Sequence, residues 1–280
     1  MKKHLAIIAG LVAVAAACTP KAAWDGKLTI VHFNDTHSQF EPVFVDSVGA
    51  LRGGVIERAV YLDSIMAANG KENVLLLHAG DFSQGSTYFT ELGGDLEIAT
   101  INAMGYDAVC LGNHEFDNGI EDLGRRLAGL NCPVVCANYD FRTFEAGKYI
   151  KPYIVLEKAG MKIGITGLLC DLSSVIDPDE AARLPKYNDA EVINKWAKYL
   201  KEEEKCDLVI SLNHIGFELE PYTDPQMVAD TRNIDLVVGG HSHTFLNKIE
   251  YAKNLDGKEI PIVQNGCWGL NGAELKVGKN

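Results

Sequence analysis

The sequence predicts an α/β fold. Short runs rich in leucine and β-branched residues alternate with amphipathic stretches from Lys27 onward, the pattern of strands separated by helices. Several of those runs stop at a glycine, aspartate, asparagine or histidine, as strands do where an α/β sheet delivers chemistry at its carboxyl ends. Composition agrees, since 280 residues with 47% hydrophobic and 23% charged side chains suit a globular chain that buries a sizeable core.

The predicted strands are LTIVHF (28–33), NVLLLHA (73–79), DAVCL (107–111), PVVCAN (133–138), DLVISLN (207–213) and IDLVVGG (234–240). Helices are predicted near 54–68, 95–104, 119–130 and 190–204, the last opening after Asn188-Asp189 as a cap. YIVLEKAGMKIGITGLL predicts a hairpin turning at Ala159-Gly160, and IEYAKNLDGKEIPIVQ another at Asp256-Gly257. No repeat, low-complexity tract or linker divides residues 27–280, so one domain is expected there.

Residues 1–17 read as an address. Lys2 and Lys3 precede an apolar run from Leu5 to Ala17, which ends in Ala15-Ala16-Ala17 before Cys18. This is a secretory signal pattern, too short for the roughly 20 residues that span a bilayer. Small residues before a cysteine resemble a bacterial lipoprotein cleavage site, so Cys18 is the expected lipidation site and residues 18–26 a tether. The expected location is the bacterial cell envelope, in the periplasm or at a membrane surface, held by the lipid anchor only. With 26 Lys+Arg against 38 Asp+Glu and a net charge of -12, nucleic acid and anionic membrane surfaces are poor partners. The six remaining cysteines lie mostly in apolar runs and are expected to be buried free thiols, although an exported chain could oxidise them.

Five predicted strand ends carry donors: Asn34-Asp35-Thr36-His37, Gly80-Asp81, Gly112-Asn113-His114-Glu115-Phe116-Asp117, His214, and Gly239-Gly240-His241-Ser242-His243. Singly each is commonplace. Together Asp35, His37, Asp81, Asn113, His214, His241 and His243 supply enough oxygen and nitrogen donors for two metals sharing one carboxylate. Gly80, Gly112, Gly239 and Gly240 let the backbone turn sharply and approach a ligand. His32 and His78 lie within strands and read as structural, with His78 near enough to Asp81 to support it.

FNDTHSQFEP, LLLHAGDFSQG, LGNHEFDNG, SLNHIG and VVGGHSHTFL, in this order, resemble the metallophosphatase domain of the 5'-nucleotidase family, within the calcineurin-like metallophosphoesterases. The likeness runs from about Leu28 to Val277. It implies a four-layer sandwich of two β-sheets face to face with helices outside. By resemblance, Asp35, His37 and His243 hold one divalent ion and Asn113, His214 and His241 another, with Asp81 bridging. Family members vary at the His243 position. His114 and Asp117 match the family's catalytic pair, and Asn113 and His114 are the expected phosphate contacts. Mixed histidine and carboxylate donors suit Zn, Mn or Fe. The implied reaction is hydrolysis of nucleoside 5'-monophosphates by metal-activated water. Alternatives are cyclic-nucleotide or nucleotide-sugar hydrolysis, or a non-catalytic envelope lipoprotein that binds metal or nucleotide.

Typical family members continue into a C-terminal domain that binds the nucleobase. The sequence ends at Asn280, soon after GAELKV, which resembles the metal domain's last strand. The expectation is that a separate polypeptide supplies the other domain, or that this domain acts alone with broad specificity. Phe82, Tyr88, Phe89 and Phe116 are weighed as substrate-facing aromatics against the plainer reading of core or interface residues.

Overall fold

A computed structural model describes residues 26–278. The predicted signal segment, Cys18 and all of the tether but Gly26 lie outside the described residues. In chain order the strands are β1 (Leu28–Phe33), β2 (Val43–Val45), β3 (Ala50–Arg52), β4 (Val74–Ala79), β5 (Ala108–Cys110), β6 (Val134–Val135), β7 (Ile150–Lys151), β8 (Tyr153–Lys158), β9 (Met161–Thr166), β10 (Leu208–Leu212), β11 (Leu236–Val238), β12 (Glu250–Lys253), β13 (Glu259–Val263) and β14 (Ala273–Val277). The α-helices are α1 (Gly54–Asn69), α2 (Thr87–Leu92), α3 (Asp95–Met104), α4 (Gly119–Leu127), α5 (Pro178–Ala181), α6 (Asp189–Glu202) and α7 (Asp224–Ala229).

Among the described residues the strands form two six-stranded sheets, ordered β14-β1-β4-β5-β6-β7 and β12-β13-β11-β10-β9-β8, beside the β2-β3 hairpin. Strands β1, β4, β5, β6 and β7 run parallel, with β14 antiparallel at one edge. In the other sheet β9, β10, β11 and β13 are parallel, flanked by antiparallel β8 and β12.

The period-2 alternation of side chains builds the layers. Ile30, Leu75 and Leu77 point inward and meet Ile163, Ile165, Ile210 and Leu212 between the sheets. Val31, Phe33, Val74 and Leu76 point outward and pack with Leu62, Ile98 and Leu123 from α1, α3 and α4. Val209, Val237 and Ile262 do the same under Ile193, Leu200 and Met227 from α6 and α7. Strands covered on both faces read as continuous apolar runs, and each side chain of this size contributes roughly 1.5–3 kcal/mol on burial. The result is the expected helix-sheet-sheet-helix sandwich.

The longer predictions hold closely. The Ala159-Gly160 hairpin pairs Lys158 with Met161, both turn residues taking positive φ (51° and 76°) as a type I′ turn requires. Asn188 caps α6, its Oδ1 accepting from the Glu191 N–H at 3.0 Å. Several elements are shorter than expected, and the predicted strands 107–111 and 234–240 pair only over Ala108–Cys110 and Leu236–Val238. The predicted strand 133–138 keeps pairing only at Val134–Val135, because the Ala137 N–H turns to the Gly167 carbonyl at the other sheet and Asn138 bonds Leu169. The predicted helix 119–130 ends at Leu127, after which the Gly129 N–H closes a tighter turn on Arg126. The described cysteines are free: Cys110, Cys136, Cys170 and Cys206 are buried, and Cys132 and Cys267 partly so. No helix of the described residues is long and apolar enough to cross a membrane.

Candidate metal centre

The parallel strands of both sheets empty onto one crevice. Asp35 and His37 follow β1, Asp81 follows β4, and Asn113 and His114 follow β5; His214 follows β10, and His241 and His243 follow β11. The loops that make these turns are unusual. Asp35, His37, Asp81, His241 and His243 all have positive φ, between 46° and 82°, in the left-handed region that non-glycine residues rarely adopt. Such strain persists where surrounding structure enforces it and concentrates at functional sites. Gly80 also has positive φ (83°), and a β-carbon there would lie 2.6 Å from His214 Nδ1.

Donor atoms of Asp35, His37, Asp81 and His243 lie within 4.8 Å of one another, as do those of Asp81, His214 and His241. The two groups share Asp81, the residue expected to bridge. Asn113 belongs to the second group, its Oδ1 2.9 Å from His241 Nδ1. All seven predicted ligands therefore meet. His114 is beside them, its ring centroid 5.3 Å from that of His37, and its Nδ1 lies 3.0 Å from Asp117 Oδ2.

The donor chemistry fits divalent cations. His214 Nδ1 is 2.7 Å from the Ala79 carbonyl, which can only accept, so Nδ1 carries a proton there. His214 Nε2, fully buried and without an assigned hydrogen-bond partner, faces Asp81 Oδ2 at 3.0 Å. His37 Nδ1 is likewise buried without one. The Nε2 atoms of His37 and His243 face each other at 2.8 Å, so one ring places a proton between them unless a cation takes its place. Burial opposes the charged form of His214, yet the Asp81 and Asp35 carboxylates outweigh it and push its pKa up to about 10. A hydrogen bond to Asp35, with help from Cys267, pushes His243 up to about 10 as well. Burial opposes ionisation of Asp81 too, but His214 and His37 hold its carboxyl well below the usual range. The potential that keeps protons on these imidazoles also attracts a metal ion. Burial keeps His37 and His241 below their ordinary values, leaving neutral rings suited to ligation.

Several supporting residues carry no obvious signal in the sequence. Fully buried Glu115 accepts four backbone N–H bonds, from Asp81 and Gly112 on Oε2 (2.9 and 2.6 Å) and from Phe82 and Ser83 on Oε1 (3.0 Å each), so it ties the Asp81 loop to the Asn113 loop. Buried Arg126 donates to the Glu115 carbonyl and to Ser83 Oγ. Asn34 donates to Asp35 Oδ2 and to the Gly266 carbonyl, both at 2.6 Å. His78 Nε2 lies 3.1 Å from Thr36 Oγ1, between two ligands in sequence, and burial lowers its pKa to about 3, as it does that of His32. Both are structural, as expected. Phe82, Phe89 and Phe116 are core residues, while Tyr88 is exposed, meets Phe40 edge-on and donates to Glu41.

A sandwich whose two sheets converge on paired donor clusters sharing one carboxylate defines a class, and the family comparison agrees with it. Residues 28–245 match the calcineurin-like phosphoesterase family, to which the chain belongs. Within that class its relatives include nucleotidases. It is 36% identical over 261 residues to the 5'-nucleotidase of Bos taurus, covering 87% of this chain and 42% of that one. The 5'-nucleotidase precursor of Thermus thermophilus superposes with a TM-score of 0.78 at 31% identity, covering 86% of this chain and 49% of that one. The NAD nucleotidase of Haemophilus influenzae superposes at 0.76 and 28% identity, covering 89% and 52%. The chain thus spans about half the length of these relatives.

Proposed function

We propose that the chain is a two-metal phosphohydrolase that cleaves nucleoside 5'-monophosphates to nucleoside and phosphate. The observation that carries this reading is the pair of donor clusters meeting at Asp81, with the His114–Asp117 pair alongside. Asp35, His37 and His243 would hold one ion and Asn113, His214 and His241 the other. Ions of the Zn, Mn or Fe type offset phosphoryl charge that this acidic chain cannot, and they make water acidic enough to attack phosphorus near neutral pH.

The chain's own residues supply the rest. Asp117 holds the Nδ1–H of His114, which leaves Nε2–H to face the substrate. As the water oxygen bonds to phosphorus and the P–O bond to ribose breaks, Nε2–H passes its proton to the departing alkoxide. Asn113 and His114, adjacent on one turn, would contact the phosphoryl oxygens.

The similarity to NAD nucleotidase favours a second reading, in which the same centre cleaves larger nucleotides such as nucleotide sugars; cyclic nucleotides are a further substrate class for it. A lipid on Cys18 would hold the domain at the cell envelope. Leu219, Phe245 and Trp268 are exposed on loops around the crevice, which suits cover by a substrate domain supplied on a separate chain.

Phosphate release from AMP, a nucleotide sugar, a cyclic nucleotide and an aryl phosphate tests these readings. His114→Ala is expected to retain its metal and lose about 10²- to 10⁴-fold in turnover. Full activity in that variant overturns the catalytic assignment. Selective turnover of AMP by the chain alone counts against a separate substrate domain, and no turnover with any metal, alone or with a partner, supports the non-catalytic alternative.

A further inference from the structure

We infer that Glu220 is the positioning residue of the second metal site, fixing His241 as an Nδ1 ligand; the inference rests on the two-ion reading above. The two nitrogens of His241 face different partners. Nδ1 lies 2.9 Å from Asn113 Oδ1, among the second ion's donors, while Nε2 lies 3.2 Å from Glu220 Oε1. Both partner atoms only accept, and the charged Glu220 carboxylate is the stronger acceptor, so the single proton of a neutral His241 belongs on Nε2 and the Nδ1 lone pair is left facing Asn113 Oδ1. Two acceptors at that separation suit adjacent ligands of one cation. A carboxylate behind a ligating histidine fixes its tautomer and orientation and makes it a better donor.

The loop carrying Glu220 is built to hold this contact. Its first residues are tied to the His241 loop, since the Gly216 N–H donates to the Gly240 carbonyl at 3.1 Å and the Phe217 N–H to Ser242 Oγ at 3.0 Å. Its far end closes on its start, the Asp224 N–H donating to the Gly216 carbonyl at 2.8 Å. Thr244 Oγ1 adds a bond to Glu218 Oε1 at 3.2 Å. Gly216, at φ 85°, leaves room for the Glu220 stem, whose Cγ would lie 3.2 Å from a β-carbon at that position.

The test is Co²⁺ titration of the metal-free chain, followed by d–d absorption and calorimetry, which reads binding without turnover. In a His37→Ala background, where the second site dominates uptake, Glu220→Ala is expected to raise the Kd about 10- to 100-fold. Glu220→Gln, whose Oε1 still accepts from Nε2–H, should restore most of that affinity. In a His241→Ala background, which leaves the first site, Glu220→Ala should change nothing. An unaltered Kd in the first background, or equal weakening in both, overturns the role of Glu220 alone. An unsubstituted chain that takes up fewer than two ions overturns the two-ion reading and this inference with it.

Discussion

His114 owes its proton to Asp117. The hydrogen bond to that carboxylate is the largest influence on the ring and raises its pKa; burial opposes the shift and Asp81 adds to it. A raised histidine pKa keeps the charged form present up to a higher pH, so a reaction needing that proton fails only as pH climbs through the raised value. Asp117→Asn is therefore expected to move the alkaline limb of the kcat/KM profile to lower pH while metal content stays constant; an unmoved limb counts against the pairing. Glu115 works through backbone instead. In Glu115→Gln an amide NH₂ replaces one accepting oxygen and opposes two N–H groups, which should cost about 2–4 kcal/mol in urea unfolding. The difference between these residues explains what the sequence could reveal. Asp35, Asp81, His214 and His241 each follow an apolar run closely and so announce themselves. Glu115 also binds the Asp81–Ser83 backbone some thirty residues away, and Asn34 the Gly266 carbonyl over two hundred residues away, and no spacing encodes those contacts.

At the scale of elements, length decides legibility. Strands β1, β4 and β10 and helices α1, α3 and α6 are long enough to show a period, and their boundaries are legible to within a residue or two. Strands β2, β3 and β7 and helices α2, α5 and α7 each span six residues or fewer, less than two helical turns or a clear alternation, and tertiary contacts define them. Two substitutions separate support of an element from support of the centre. Asn188→Ala removes the α6 cap and should lower stability by about 1 kcal/mol without changing turnover, checked by denaturation midpoint and kcat together. Gly80→Ala forces a β-carbon into left-handed backbone and toward His214 Nδ1, displacing the bond to Ala79. Its expected signature is loss of metal uptake at the second site; undiminished uptake would show that this close approach is dispensable.

For the whole molecule, the centre is a bond between sheets. Asp35, His37, Asp81 and Asn113 belong to the loops of one sheet, and His214, His241 and His243 to the other. Ions bound there favour the closed sandwich by mass action, about 2.7 kcal/mol for one site at a hundred times its Kd. Chelation should accordingly lower the melting temperature on the order of 5–10 °C in calorimetry. An unchanged melting temperature would mean that the sheets hold together without help from the centre.

The same division fixes the order of events in the protein's life. Read along the chain, the donors come at most two at a time, Asp35 with His37 and His241 with His243, and those pairs are separated by some two hundred residues. An unfolded or half-made chain offers no stretch able to hold an ion firmly. On the two-ion reading, metal would thus be acquired last, after both sheets have closed. The ions abundant where folding finishes, rather than those present where synthesis begins, would determine what the centre contains.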